Sequence, residues 1–427
     1  MPQKGKFPKI FYGWWIVFVC FICAMTTGIV GYGFTAFFNP IVQEFGWSYA
    51  VVSLAASLRG AETGLLSPVL GFLVDRWSTK WILFIGTIAT GLGLILLSLV
   101  SSLAQFFGAW VVIALGTSCC SSSVVNPAVN NWFRRNLGKA LGILTTGFAL
   151  SGLFIPGIYN LIESFGWREA LVIIGAGFFV FCVPLTFIIK DKPEPYGYLP
   201  DGDTETLNTN IPDTRNYESN NNSLEVNIST GQALKSRTFW HLTLVLTLQA
   251  VVYLAVVNHI MPYLKTVNID GYMASFFAGA IPVLSIFGRL GAGWLSDKFS
   301  RKQITVVSFA VLCVGTLLFD YVNDINLWLL VLTVLIFSIS VGCITTMRAM
   351  LAVEYFGRSR FASIYGIIIG ITSLGAMLGP FLAGWTFDVW KSYHYAWIIF
   401  TVMNIACLIL TITTPRVHVS KIINQYR

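Results

Sequence analysis

Charge is what this chain has least of. Asp, Glu, Lys and Arg together make up 11% of its 427 residues, while 56% are hydrophobic and 15% aromatic. A soluble protein of this length could not cover its surface with so few charges. Histidine is scarce as well, with four residues, and no Cys/His group has metal-ligand spacing. There is no Gly-x-x-x-x-Gly-Lys phosphate cradle, so ATP is not expected to drive a cycle here. No nucleophile lies beside a plausible base. Neither an enzyme nor a cofactor or metal is expected. The eight cysteines all fall inside apolar runs, which leaves no disulfide framework, and Cys20-x-x-Cys23 lacks the setting of a redox motif. No segment alternates with period two, which argues against a barrel.

What is present is a series of apolar runs of about 20 residues, each long enough to cross a roughly 30 Å hydrocarbon core. Twelve are expected, over 11–38, 50–74, 81–103, 106–131, 139–162, 168–189, 239–264, 272–296, 303–322, 326–353, 361–387 and 394–414. Helices suit them, because a helix satisfies its backbone groups without water. The net charge of +8 describes topology, not a nucleic-acid partner. With the N-terminus placed in the cytoplasm, Arg168, Lys265 and Lys391 fall on the opposite side and Arg59, Arg289 and Arg348 within spans. The other 21 of the 27 basic residues fall on the cytoplasmic side, as the positive-inside rule requires. A multi-pass protein of the cell membrane is expected, with both termini cytoplasmic and the lipid bilayer as its first partner.

Two landmarks repeat at one period. Gly71-x-x-x-Asp75-Arg76-x-x-x-Lys80 returns 222 residues later as Gly293-x-x-x-Asp297-Lys298-x-x-Arg301-Lys302. Trp132-Phe133 with Gly138-Lys139-Ala140-x-Gly142 returns as Tyr355-Phe356 with Ala362 and Gly366, offset by 223 to 224. The chain therefore reads as a duplicated membrane unit. Residues 1–189 form one six-helix half and 238–427 the other, joined by a polar, flexible linker over 190–237. In the repeated motif, Gly71 and Gly293 are expected to let helices approach. Asp75 and Asp297 would accept hydrogen bonds from a helix N-terminus, while Arg76, Lys80, Lys298 and Arg301 remain in water. Such a cluster would latch one face closed. Gly375-x-x-x-Gly379-Pro380-x-x-x-Gly384, with Gly152 to Gly157 as a looser counterpart, reads as helix packing or as a bending point.

The repeated Gly-x-x-x-Asp-Arg/Lys pattern in a twelve-span chain resembles the major facilitator superfamily, over 10–415. Tyr12-Gly13-Trp14-Trp15, Asn39-Pro40-x-x-x-Glu44-Phe45-Gly46-Trp47-Ser48, the Trp132–Ile143 segment and Phe165-Gly166-Trp167-Arg168 are similar to the monocarboxylate transporter group and its prokaryotic relatives, the oxalate–formate exchangers among them. The resemblance implies an all-helical fold of two six-helix bundles, acting as a monomer.

Ionisable residues inside spans cost about 2.5–3.5 kcal/mol each on insertion scales and so need a partner or a wet cavity. Arg59 and Glu62 share one helix face, either as a self-neutralising pair or with Glu62 exchanging a proton. Arg289 and Arg348 have no acid at helical spacing on their own helices, which leaves two positive charges that a small organic anion would neutralise. The resemblance supports Arg289, because a substrate-contacting arginine lies four residues before a glycine in that family, as Arg289 does before Gly293. The family's usual aspartate is replaced by Ser285, and its first-helix lysine has no counterpart. Tyr32, Asn126, Tyr253, Asn258 and His259 lie on helices that line the cavity in that superfamily. Asn126-Pro127 is expected to kink the fourth span, and His259 to relay protons.

The expected function is secondary transport of a small organic anion, a monocarboxylate or small dicarboxylate, by proton symport or anion exchange. A multidrug or metabolite exporter and a non-transporting sensor stay open as alternatives.

Overall fold

The structure is a computed structural model describing residues 11–55, 57–58, 66, 70, 73, 77–133, 136–191, 193–196, 230–296, 298–323, 325–357 and 361–415. Among these are eleven helices long and apolar enough to cross a membrane. The first half contributes α1 (Tyr12–Phe45), α2 (Thr79–Ser98), α3 (Leu103–Trp132), α4 (Lys139–Phe165) and α5 (Trp167–Thr186). The second half contributes α6 (Arg237–Thr266), α7 (Gly271–Leu295), α8 (Arg301–Tyr321), α9 (Leu327–Phe356), α10 (Ser363–Trp390) and α11 (His394–Thr413). The expected span over 50–74 is helical over 49–55 and lies largely outside the described residues. Large apolar side chains such as Leu96, Val307, Val314 and Ile409 face outward. That would be a liability in water and is the normal surface toward acyl chains.

Among the described residues three spans are interrupted, each upstream of a proline, and in α5 the interruption is a π turn at Phe178–Cys182, before Pro184. α3 breaks at Cys120–Ser121, upstream of the kink expected at Asn126-Pro127. Pro127 has no N–H for the Ser123 carbonyl, which weakens the first turn of the segment that restarts at Ser122. α4 tightens into a 3₁₀ turn at Ser151–Phe154 before restarting at Ile155-Pro156. Pro156 is tolerated at that point because the first turn of a helix needs no N–H there. The Phe-Gly-Trp pairs of the sequence are left-handed turns, with φ of 66° at Gly46 and 87° at Gly166, a conformation that favours glycine.

The bundle has a basic end and a far end. At the basic end each half ties the start of one helix to the finish of another. The Thr79 N–H donates to the Asp191 carboxylate at 2.7 Å, and the Trp132 indole donates to the Lys190 carbonyl at 2.9 Å. In the second half Lys302 donates to the Ile412 and Thr414 carbonyls at 2.8 and 2.9 Å, closing the C-terminus of α11. Arg301 pairs with Glu354 at 3.5 Å and donates to the Met350 carbonyl. The basic residues of the second motif are thus engaged while Lys298 stays exposed and Arg301 partly so. Lys80 lies 4.7 Å from the Phe187 ring centre and Lys298 4.0 Å from that of Trp294. Gly71, Asp75, Arg76 and Asp297 lie outside the described residues.

The motif glycine of the second half, Gly293, stands differently from the close-packed glycines of α7. A side chain added at Gly293 would meet nothing within 4 Å among the described residues. The close approaches of α7 run instead through Gly288, whose face meets the backbone of Ile339, and Gly279. Within the expected linker, Thr230–Lys235 is helical and buries Ala233 against Phe239, Leu242 and Phe356. This apolar anchor attaches the end of the linker to the second half.

Candidate substrate path between the two halves

At the far end of the first half, the family-like motifs bind three helix ends together. The Trp167 indole donates to Glu44 at 2.6 Å and the Arg168 guanidinium to the same carboxylate at 2.7 Å. Arg168 also donates to the carbonyls of Ser98 and Val100 at the end of α2. In the second half, His394 at the start of α11 meets Asp320 at the end of α8 at 2.7 Å. Each half therefore enters the seam as a braced unit.

The seam itself carries the repeat in three dimensions. The hydroxyls of Tyr32 on α1 and Tyr253 on α6 lie 2.5 Å apart, and these residues are 221 positions apart in sequence. Thr35 donates to the Asn258 carbonyl at 3.1 Å, across 223 positions. The offsets lie within one residue of the 222 to 224 read from the motifs, so the pseudo-two-fold axis passes close to these contacts. Beyond them towards the far end, His259 is buried in a node. Its Nε2 lies 2.8 Å from Ser53 Oγ and 2.9 Å from the Pro380 carbonyl, and its Nδ1 3.0 Å from the Tyr393 hydroxyl. Ser53 spends its own proton on the Tyr49 carbonyl. Ser53 and Pro380 can then only accept from Nε2–H, while Nδ1 accepts from Tyr393. The neutral ring satisfies the whole set.

Asp388, at the last turn of α10, completes this side of the seam. Its two oxygens accept from the backbone N–H groups of Tyr49 and Ala50, at 3.0 and 2.8 Å. A carboxylate of one half thus caps a helix of the other and meets the positive end of its dipole. Gly384 allows the approach, because a Cβ there would lie 2.7 Å from the Ala50 nitrogen. On the other side of the seam the contact is backbone on backbone. Any side chain on Gly152 would strike the Gly279 carbonyl, and any on Gly279 the Gly152 carbonyl.

Arg289 lies on the stripe of α7 that faces this seam. Pro282 approaches Gly152, and Arg289 follows it by seven residues, two helical turns and about 10 Å nearer the basic end. Its side chain is half-buried, and its Nε is buried without a hydrogen-bond partner among the described residues. The close packing of α7 on α9 holds its backbone. Gly342 meets the Ser285 carbonyl, Cys343 Sγ lies 3.3 Å from the Gly288 carbonyl, and Thr346 donates to the Arg289 carbonyl at 3.4 Å. A guanidinium whose buried N–H meets no acceptor among the described residues has a donor free for an anion.

The other expected residues divide. Tyr32 and Tyr253 meet on the axis. Asn258 turns its amide into its own helix, donating to the Leu254 carbonyl at 2.9 Å. His259 sits in the far-end node, away from Arg289. Asn126 keeps its Oδ1 buried with no partner among the described residues. Arg348 lines a narrow space enclosed by α6, α8, α9 and α11, with Leu242, Phe309, Tyr355 and Thr411, inside the second half. Arg59 and Glu62 lie outside the described residues. Asp388, Ser53 and Tyr393 were not picked out from sequence. The available signal was an acid one turn after Gly384 in the Gly-x-x-x series.

The sequence matches the Major Facilitator Superfamily over residues 18–319 and 282–425. The chain belongs to the major facilitator superfamily. It is 26% identical to monocarboxylate transporter 12 of Rattus norvegicus, over 91% of this chain and 82% of that protein. It is 24% identical to monocarboxylate transporter 13 of Bos taurus, over 97% and 92%, and to monocarboxylate transporter 2 of Homo sapiens, over 92% and 85%. Among solved structures, an inward-facing bacterial homolog of the human lysosomal transporter Spinster superposes with a TM-score of 0.73 at 15% identity, covering 97% of this chain and 99% of that one. The nucleoside transporter NupG gives 0.73 at 14% identity, covering 93% and 99%. These two likenesses show the fold. The chain is accordingly a multi-pass membrane transporter of this superfamily and not an enzyme.

Proposed function

We propose that this superfamily transporter moves small organic anions, monocarboxylates or small dicarboxylates, by alternating access, with Arg289 as the carboxylate-binding residue. The observation that carries the reading is the buried Arg289 Nε, without a hydrogen-bond partner among the described residues, on the seam-facing stripe of α7 and below the far-end seal. The similarity to proteins named monocarboxylate transporters points to the same substrate class. With the basic end cytoplasmic, as the distribution of Lys and Arg favours, the far-end seal makes this an inward-facing state. Substrate then reaches Arg289 from the cytoplasm, and release outside requires the Tyr32–Tyr253 and Asp388 contacts to part. Glu62 is the residue that carries a proton if transport is symport. Arg348, enclosed in the second half, acts on packing during rocking and not on the anion.

The test is uptake of labelled lactate, pyruvate and oxalate into proteoliposomes, with and without an inward proton gradient, for the wild type, Arg289→Ala and Arg289→Lys. Gradient-driven uptake lost in both variants supports symport with bidentate binding at Arg289. Uptake that needs preloaded anion indicates exchange. Wild-type vesicles that take up none of the three overturn the substrate class and favour export of larger lipophilic molecules.

A further inference from the structure

The glycine side of the seam opens outward into a groove of about 440 Å³. Its walls are Leu153 and Pro156 of α4, Phe276 and Ala280 of α7, and Val334 of α9, and its floor is the Gly152–Gly279 contact. No side chain lining it is polar. α7 begins at the far end with Gly271, so the groove runs along it from 5 to 13 residues in, about 8 to 20 Å deep. The midplane of a roughly 30 Å hydrocarbon core lies about 15 Å in, so the groove starts in the far-end leaflet and reaches just past the midplane. Leu153 and Phe276, more than half exposed, make the groove continuous with the outer face of the bundle. At that depth the surroundings are acyl chains.

We infer that this groove is a seat for one acyl chain of a far-end-leaflet phospholipid, and that the seated chain holds the seam closed. The driving force is packing, because leaving apolar surface for lipid gains nothing hydrophobic, whereas a filled groove restores dispersion contacts along its walls. The two glycines of the floor belong to opposite halves, so the groove changes shape when the halves move against each other at the far end. An acyl chain that binds one state and not the other biases the equilibrium by that difference in affinity. Polar ligands are excluded because nothing in the groove could replace their water. This inference does not depend on the identity of the transported anion.

Photolabelling of the full-length protein in nanodiscs tests it. The probe is phosphatidylcholine with a diazirine in one acyl chain, and adducts are located by mass spectrometry. Adducts on 276–284 and 153–156 should exceed those on the lipid-facing Val307–Val314 stretch of α8 about fivefold or more. Ala280→Phe and Val334→Phe each fill the groove from a different wall, and each should bring labelling down to the α8 level while α8 labelling itself stays unchanged. Even labelling of the groove and α8 overturns the proposal. So does groove labelling that survives both substitutions, or labelling obtained with a free diazirine fatty acid and not with the phospholipid.

Discussion

The two sides of the far-end seam close by opposite means. Where 49–53 meets α10 and α6, closure is polar: the Asp388 carboxylate on two N–H groups and the His259 node. Where α4 meets α7, there is only backbone against backbone at Gly152 and Gly279, with an apolar groove outside. Hydrogen bonds are directional, so the polar side fixes the register of the halves and releases cooperatively. The glycine contact is tolerant of sliding and intolerant of volume. Under the alternating access proposed above, one side would act as a latch and the other as a pivot.

The largest effect is expected at the pivot. Gly279→Val drives a branched side chain into the Gly152 carbonyl, which cannot move aside. Overpacking of this kind costs about 1–3 kcal/mol, about 5- to 150-fold in the closed-to-open ratio. Spin-label distances between Gln43 and Tyr272, one on each half at the far end, should lengthen, and transport should fall in parallel. An unchanged distance distribution would mean that the glycine contact is incidental.

The latch comes next. Asp388→Ala removes a cap worth about 0.5–2 kcal/mol, so the same distance distribution should shift toward the open form by about 2- to 30-fold. Asp388→Asn should recover part of it, since the amide oxygen still accepts one N–H. Combining Asp388→Ala with Gly279→Val should give additive free energies, as for separate contacts acting on one equilibrium. Strong non-additivity would make latch and pivot a single unit.

The smallest effect belongs to the symmetric pair. Tyr32→Phe and Tyr253→Phe should each cost about 1 kcal/mol of closure, and by similar amounts, because the two hydroxyls are related by the pseudo-two-fold axis. The double variant should cost little more than either single one when far-end accessibility is compared across all four proteins. Unequal single effects would show that one hydroxyl has a second task.

Much of the site could be read along the chain, but not its faces. Arg289 was legible as a lone charge in an apolar run, whereas the meeting of Tyr32 with Tyr253 and of Thr35 with Asn258 emerged only from the structure. Arg348 looked equivalent to Arg289 because depth along a helix follows from counting residues. Its face does not, and the packing of α9 turns it into the interior of the second half. Gly293 matched its motif and yet packs against nothing described, whereas Gly279, outside any motif, makes the critical contact. Asp388 escaped notice because its partners are two backbone N–H groups more than 300 residues away, and a backbone donor leaves no mark in sequence.

What the sequence by itself determined is the set of spans, the duplication and the segregation of basic residues. Lipid imposes these locally: each apolar run must satisfy its own backbone, and each loop charge must find water. Only the tertiary structure decided which half-to-half contacts close the path, that His259 and Asp388 seal it, and that Arg289 alone of the two described interior arginines faces the seam. Those outcomes depend on helix rotation and close approach. They are set by packing among residues far apart in the chain, which hydropathy and spacing do not encode.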